Sequence, residues 1–346
     1  MKKFDYSFLK NSIPGNLVGI SNIVFSLKTK EDMRKAENKE AFESLRKSAI
    51  IKSIKSSNAI EGIVTTDTRI KDIIDGKPPI THDEKEISGY KDALALIHSE
   101  YNTLDFDIEL ICRFHKLLVG EVSPSEGGKF KSRDNLIMEY NSDGTRRIRF
   151  RPVPFSETEK AIEQLILAYM DARQDAEIPD LFLIQCVILD FLCIHPFTDG
   201  NGRISRLLTV LLLYLHGYDI GRYISLEGMI NEYKESYYDA LEKSSENWHK
   251  NENDYAPFIL SFLQIVYRCY KELDEQFMNS AIKKAKKSER IEAVVMNAIV
   301  PISKSEIADR FPDISIKTIE YALSNMLKNG KIMKIGTYKN ARYYKK

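Results

Sequence analysis

The chain has 346 residues, with 51 Lys/Arg against 50 Asp/Glu, 43% hydrophobic residues and 29% charged ones, the composition of a water-soluble protein of about two domains. No run reaches the ~18 apolar residues of a membrane span, and residues 1–25, broken by Asp5, Asn11, Pro14 and Gly15, do not read as a secretory signal. The four cysteines, Cys112, Cys186, Cys193 and Cys269, form no CxxC pair and read as reduced, buried thiols of a cytoplasmic protein rather than as disulfides or a metal cluster.

The first 30 residues show no strong period. Residues 31–60 are helical, with Phe42, Leu45, Ile50, Ile51 and Ile54 at mostly three- and four-residue spacings, and Gly62 suits the helix end. Thr81 and Glu84 fit a capping box before a helix over 83–101. Residues 107–119 form another helix. Residues 133–154 break the pattern, and Asn141-Ser142-Asp143-Gly144 is a hairpin signal. Helices return over 156–172, 180–194, 203–216, 226–244 and 255–287. The last 60 residues change character. Residues 281–346 carry 15 Lys/Arg and 6 Asp/Glu, leaving a balance of −8 on the rest, so a basic module follows a mildly acidic one. Helices over 289–300, 303–311 and 318–328 precede a hairpin of 332–336 and 341–344 around Tyr338-Lys339-Asn340, which reads as a winged helix-turn-helix.

Chemistry concentrates in His195-Pro196-Phe197-Thr198-Asp199-Gly200-Asn201-Gly202-Arg203-Ile204-Ser205-Arg206. The stretch lies between two apolar runs, so a short polar loop sits on a rigid helical frame. His195 can take a proton from a hydroxyl near neutral pH. Asp199 is a hard oxygen ligand suited to magnesium. Gly200, Asn201 and Gly202 lead into a helix N-terminus, where free N–H groups and the dipole favour an anion. Arg203 and Arg206 share the first helical turn and can clamp phosphate oxygens. A base, a metal carboxylate, a phosphate nest and two cations are the parts for attack on a phosphate.

This segment resembles the signature of the Fic (filamentation induced by cAMP) family, HxFx(D/E)GNGRxxR, and matches it at every specified position. The resemblance implies a mainly helical fold, with a Fic core over 83–280 after an N-terminal region of 1–82, and a winged helix domain at 288–346. It also implies transfer of AMP from ATP to a Ser, Thr or Tyr hydroxyl of a target protein. On that resemblance His195 is the base and Asp199 holds Mg²⁺. Thr198 and Gly200-Asn201-Gly202 cradle phosphates, and Arg203 and Arg206 hold the β- and γ-phosphates. Kinase-type relatives carry Lys where Gly202 stands, so glycine favours nucleotidyl transfer. Transfer of UMP or phosphocholine shares much of the motif.

Ser57-Asn58-Ala59-Ile60-Glu61-Gly62 resembles the family's inhibitory motif (S/T)xxxE(G/N). Ser57 and Glu61 share a helix face, and Glu61 would sit at a helix C-terminus, where the dipole disfavours an anion. The resemblance supplies a partner in Arg206. In some relatives the same glutamate supports removal of AMP. Residues 133–154 match the family's flap, whose edge takes up a target segment by strand addition. Asn231, Tyr237 and Tyr238 resemble the segment flanking the nucleobase. The two tyrosines face different sides of a helix, so one at most meets adenine. The other five histidines and Trp248 read as structural. In the winged helix domain, Lys317, Lys328, Lys331, Lys334, Lys339 and Arg342 suit nucleic-acid phosphates, while Lys317, Glu320, Ser324 and Asn325 are the few candidates for base edges. A protein partner there fits equally, as do self-modification and a homodimer. The expected protein is an autoinhibited adenylyltransferase. Its rivals are an AMP-removing enzyme using Glu61 and a nucleotide-sensing transcriptional regulator.

Overall fold

The computed structural model describes residues 2–11, 13–140, 145–284, 286–298, 300–337 and 341–346, apart from the side chains of 139–140 and 278–284. The expected hairpin turn Asn141-Ser142-Asp143-Gly144 and the wing tip Tyr338-Lys339-Asn340 lie outside the described residues. Two compact units divide the chain, Met1–Glu272 and Leu273–Lys346.

In the first unit, a 3-10 turn at Ser7–Lys10 precedes α1 (Gly15–Glu37), α2 (Lys39–Ile60), α3 (Asp67–Ile74), α4 (His82–Glu100) and α5 (Ile108–Val119). The antiparallel hairpin β1 (Ile137–Tyr140) and β2 (Arg146–Phe150) follows, then α6 (Thr158–Ala172), α7 (Asp180–Ile194), α8 (Asn201–Leu215), α9 (Leu226–Glu232), α10 (Lys234–Ser245) and α11 (Ala256–Lys284), whose residues from Leu273 belong to the second unit. Among the described residues no helix is long and apolar enough to cross a membrane.

Caps explain many of the boundaries. Thr66, Thr81, Asp107 and Ser225 each accept a backbone N–H of the turn they open, satisfying one of the four donors a helix start leaves free. The Thr81–Glu84 box closes differently from expectation. Thr81 caps Glu84, but the Glu84 carboxylate accepts from Ile80 N–H at 2.8 Å and binds Arg69 at 2.8 and 2.9 Å.

Three expectations are corrected. The aperiodic N-terminus contains a full helix, α1. It buries just Leu17, Val24 and Glu31, one residue every seven, while Val18, Ile23, Phe25 and Met33 face outward, so apolar spacing carries no clean period. The single helix over 31–60 is two, parted at Asn38, whose φ of −131° and ψ of 46° are not helical. The helix over 226–244 likewise breaks at Tyr233 (φ −107°, ψ 31°).

The core is built on α7 and α8. Every residue from Leu181 to Ile194 is buried, as expected of a helix apolar all round. Asp190 is the charged exception within that run. It accepts from Trp248 Nε1 at 2.6 Å, Tyr6 OH at 2.8 Å and Tyr255 OH at 2.9 Å. Burial still pushes its carboxyl above the usual range, with nearby Lys2 opposing. This ties the N-terminal segment and the α10–α11 connection to α7, and it explains Trp248. Gly89 on α4 lets that helix meet α5 closely, since a Cβ there would collide with the Leu117 carbonyl. Cys186, Cys193 and Cys269 are buried as expected, whereas Cys112 is partly exposed.

The second unit holds α12 (Lys287–Met296), β3 (Ile302–Ser303), α13 (Lys304–Arg310), α14 (Ile316–Lys328), β4 (Ile332–Ile335) and β5 (Arg342–Lys345). The strands form an antiparallel sheet in the order β3-β5-β4, one strand more than expected. Ile291, Val295, Ile307, Phe311, Ile319, Leu323 and Met326 close its own core. Helical starts differ from expectation by up to two residues, because Ser303 and Ser315 cap α13 and α14.

Candidate active site

The loop of interest joins α7 to α8. His195 ends α7 in the left-handed conformation, φ 52° and ψ 63°, which a non-glycine residue holds only where its surroundings over-determine it. Its Nδ1 lies 3.3 Å from the Leu192 carbonyl. A carbonyl can only accept, so Nδ1 carries the hydrogen and Nε2 offers a lone pair. Burial pushes the imidazole down to about 4, which keeps it neutral, the form a base requires.

The rest of the loop is braced from inside. Phe197 is fully buried and stacks on His115, with centroids 3.9 Å apart and planes 18° apart. Asn201 accepts from Phe197 N–H at 3.0 Å and donates to the Phe197 carbonyl at 2.8 Å, so its side chain is a strut. Gly200 has φ 79°, a conformation glycine supplies at no steric cost, and it opens α8. Thr198 and Asp199 are exposed. The two arginines part company. Arg203 is turned inward at 1% exposure and pairs with Glu86 at 2.5 Å and Asp199 at 3.7 Å.

Arg206 instead faces a cavity of about 210 Å³ lined by His195, Gly202, Ser205, Glu61, Tyr237 and Tyr238, with Ile137, Arg149, Phe150, Leu192, Cys193 and Leu241 among its other walls. Both tyrosines line it, Tyr237 from within the core. Tyr237 packs edge-on to Tyr238 at 5.6 Å and against Phe258 at 5.3 Å, so the helix start at Lys234 presents adjacent rings to one space. Asn231, on α9, is exposed and does not line this cavity. A larger cavity of about 580 Å³, walled by Lys2, Phe8, Leu17 and Tyr255, has neither histidine nor arginine in its lining.

The Ser57–Glu61 segment closes α2, and it engages Arg206 through Nε and Nη2. Arg206 Nε donates to Ser57 Oγ at 2.9 Å, and Nη2 donates to the Ser57 carbonyl at 2.9 Å and to Glu61 Oε1 at 2.8 Å. Burial alone would depress the guanidinium, but the Glu61 carboxylate more than offsets it and holds Arg206 charged. Glu61 lies against Gly202, where a Cβ would collide with Oε1. The missing side chain at Gly202 is therefore what lets the glutamate approach the start of α8. Gly62 follows at φ 80°, ending the helix as expected. Lys234 Nζ donates to the Ile60 carbonyl at 2.7 Å, a cation on the carbonyl end of α2. Lower down, Ser53 Oγ bonds Ser225 Oγ at 2.9 Å, and Tyr90 OH bonds Glu227 at 2.9 Å.

Sequence reasoning missed Glu86, Lys131, Asn135, Arg149 and Lys234, and it read His115 as structural without seeing that it supports the loop. Arg149 Nη2 donates to the Tyr238 carbonyl at 2.9 Å, fixing the hairpin against α10. The hairpin's run Arg146-Arg147-Ile148-Arg149 was the available signal. For the others the linear sequence held none.

A half-buried neutral histidine, a glycine-opened helix start and a buried arginine facing one cavity define the class. Residues 105–213 match the Fic/DOC family profile, so the chain carries a Fic/DOC domain. More particularly, it is 27% identical over 249 residues to the protein adenylyltransferase Fic of Nematostella vectensis, covering 68% of this chain and 50% of that one. It is 27% identical to the protein adenylyltransferase Fic of Drosophila melanogaster, covering 56% of this chain and 38% of that one. The chain thus spans half or less of the length of these curated relatives. The fold is shared with a crystal structure of a Fic family protein from Desulfovibrio desulfuricans G20, at 18% identity, a TM-score of 0.63 and 97% coverage of both chains.

Proposed function

We propose that this chain transfers AMP from ATP to a Ser, Thr or Tyr hydroxyl of a target protein, and that α2 holds the activity off. The observation that carries the reading is Arg206, which faces the same cavity as the neutral His195 and is held at Nε and Nη2 by Ser57 and Glu61. The curated relatives' names support the transferred group.

His195 Nε2 takes the proton of the target hydroxyl as that oxygen bonds to the α-phosphorus. The bond from this phosphorus to its bridging oxygen breaks, and pyrophosphate leaves. Backbone N–H groups at the start of α8 suit the phosphates, and Arg206, once released, suits the γ-phosphate. The Asp199 side chain is 77% exposed, and among the described residues no group of His, Cys, Asp and Glu could hold a metal on its own. That fits magnesium, which usually combines one or two carboxylates with phosphate oxygens and waters. When bound, the ion would neutralise phosphate charge as a Lewis acid, with Asp199 as its protein ligand. We assign residues 1–82 to regulation, 83–280 to the core and 288–346 to the winged domain.

The test is incubation of the Glu61→Gly protein with labelled ATP, CTP, GTP and UTP in a cell lysate, followed by mass spectrometry. AMP on a hydroxyl, with none from the His195→Ala variant, is the expected result. No transfer from any nucleotide would overturn the activity, and equal labelling by wild type would overturn the inhibition.

A second reading rests on Glu61 lying in the same cavity as His195, where it can orient a water. On this reading the wild type removes AMP from a modified target, and Glu61→Gly does not. For the second unit we propose a nucleic-acid role resting on exposed Lys317, Lys328 and Lys334. Several expected contacts are already engaged. Lys331 pairs with Glu292, Arg342 with Glu306, and Glu320 with Lys304 at 2.7 Å. Phosphate binding that weakens with salt is therefore expected, and no shift of duplex DNA at low salt would dispose of it. Four free cysteines support a reducing, cytoplasmic setting.

A further inference from the structure

We propose that Lys131, with Asn135, is a positioning residue for His195, tying the root of the β1–β2 hairpin to the catalytic loop. The inference rests on His195 being the base.

Residues 131–135 lie just before β1, and they hold the loop by its carbonyls. Lys131 N–H donates to the Pro196 carbonyl at 2.9 Å. Its Nζ donates to the Ile194 carbonyl at 3.3 Å and to Asn135 Oδ1 at 3.0 Å. Asn135 Nδ2 completes the set by donating to the Phe197 carbonyl at 3.1 Å. One short segment thus grips the backbone on both sides of His195.

Lys131 is 5% exposed. Burying an ammonium costs several kcal/mol before compensation, and burial here pushes its pKa down to about 8. A lysine in such a place is expensive as filler. Its hydrogen bonds go to backbone carbonyls and one amide oxygen, and Asp134 acts on it at longer range. The compensation therefore comes largely from the loop itself.

The loop needs that grip. His195 stands in the left-handed region, and its ring direction depends on the Leu192 carbonyl. The braces on the other side, Asn201 and His115, act on Phe197. Lys131 is the group that reaches the carbonyls of residues 194 and 196. Because the same segment runs into β1, a target chain laid along the hairpin would bear on the backbone that aims the base.

The experiment uses the full chain in the Glu61→Gly form. Lys131→Met is expected to lower kcat for AMP transfer by about 10- to 100-fold, the scale of a ~1 Å misplacement. The KM for ATP should stay within about twofold, because Lys131 does not line the cavity. Lys131→Arg, which keeps a cationic donor, should recover much of the loss. Asn135→Ala, with a smaller fall in kcat, provides the check if Lys131→Met folds poorly. An arm independent of catalysis is amide hydrogen exchange. Residues 194–198 should exchange faster in Lys131→Met than in the parent. Unchanged exchange, or an unchanged kcat, overturns the proposal, as does a loss that Arg fails to rescue and KM shares equally. If the parent transfers no AMP while exchange still rises, the clamp stands and the reading of the site falls.

Discussion

Replacing Glu61 and Ser57 one at a time tests how Arg206 is held. Glu61 contributes one charge-assisted bond to Nη2 at 2.8 Å. A hydrogen bond to a charged group is worth about 1.5–3 kcal/mol, so releasing it should raise transfer from ATP by about 10- to 150-fold at 1.4 kcal/mol per decade. Ser57 contributes a neutral hydroxyl to Nε at 2.9 Å, while its carbonyl bond at 2.9 Å survives truncation. Ser57→Ala should therefore gain about 1.5 kcal/mol of release, the low end for a bond to a charged group, about tenfold in rate. Glu61→Gln keeps an acceptor without the charge and should fall between. The residues share one guanidinium, so the double variant should gain less than the product of the singles. The assay is the initial rate of labelling at ATP below KM. ATP affinity is measured separately in the His195→Ala background, where Glu61→Gly should tighten binding. Equal rates for wild type, Ser57→Ala and Glu61→Gly would refute the reasoning. So would a large effect of Ser57→Ala with none from either Glu61 variant.

Three further outcomes are expected. Lys234→Met frees the Ile60 carbonyl and should raise labelling about threefold, from ~0.7 kcal/mol at a part-exposed contact; a gain of the same size in the Glu61→Gly background would place Lys234 outside the inhibitory route. Burial holds His195 at about 4, so kcat/KM of the Glu61→Gly protein should stay level from pH 8 to about 5.5, and an acid limb near 6.5 would contradict a desolvated base. Burial raises Glu31 to about 7, with Lys35 opposing. The folded state therefore holds this proton more tightly than the unfolded chain, and the stability from protonation is complete below the unfolded value and lost as pH rises through 7. Urea titrations should show wild type losing about 2.5 kcal/mol between pH 5 and 8 relative to Glu31→Gln; parallel pH curves would remove Glu31 as the cause.

The sequence by itself determined the local elements with strong signals. The α7 run is apolar on every side, so a buried helix was its natural form, and its span of 180–194 was read from the chain directly. The 195–206 loop was equally legible, because its glycines, carboxylate, base and arginines act through neighbouring backbone. The Ser57–Glu61 spacing places both side chains on one helix face whatever lies opposite. Elements that bury a narrow stripe were illegible. The helix α1 sets every seventh residue inward and leaves Phe25 and Met33 in solvent, so its spacing looks random.

Tertiary structure decided what each polar group does. Arg203 and Arg206 are three residues apart and chemically identical, and both read as clamps. Packing turned one onto Glu86 of α4 and left the other at the cavity facing α2. Tyr237 and Tyr238 both line the cavity, with Leu241 and Ser245 of the same helix. Lys131 lies 64 residues before His195 and carried no motif. It became significant because folding brought its ammonium to the Ile194 carbonyl. A charged group's role depends on which opposite charge or carbonyl lies within about 3 Å once the chain has closed, and linear spacing beyond a helical turn does not encode that distance.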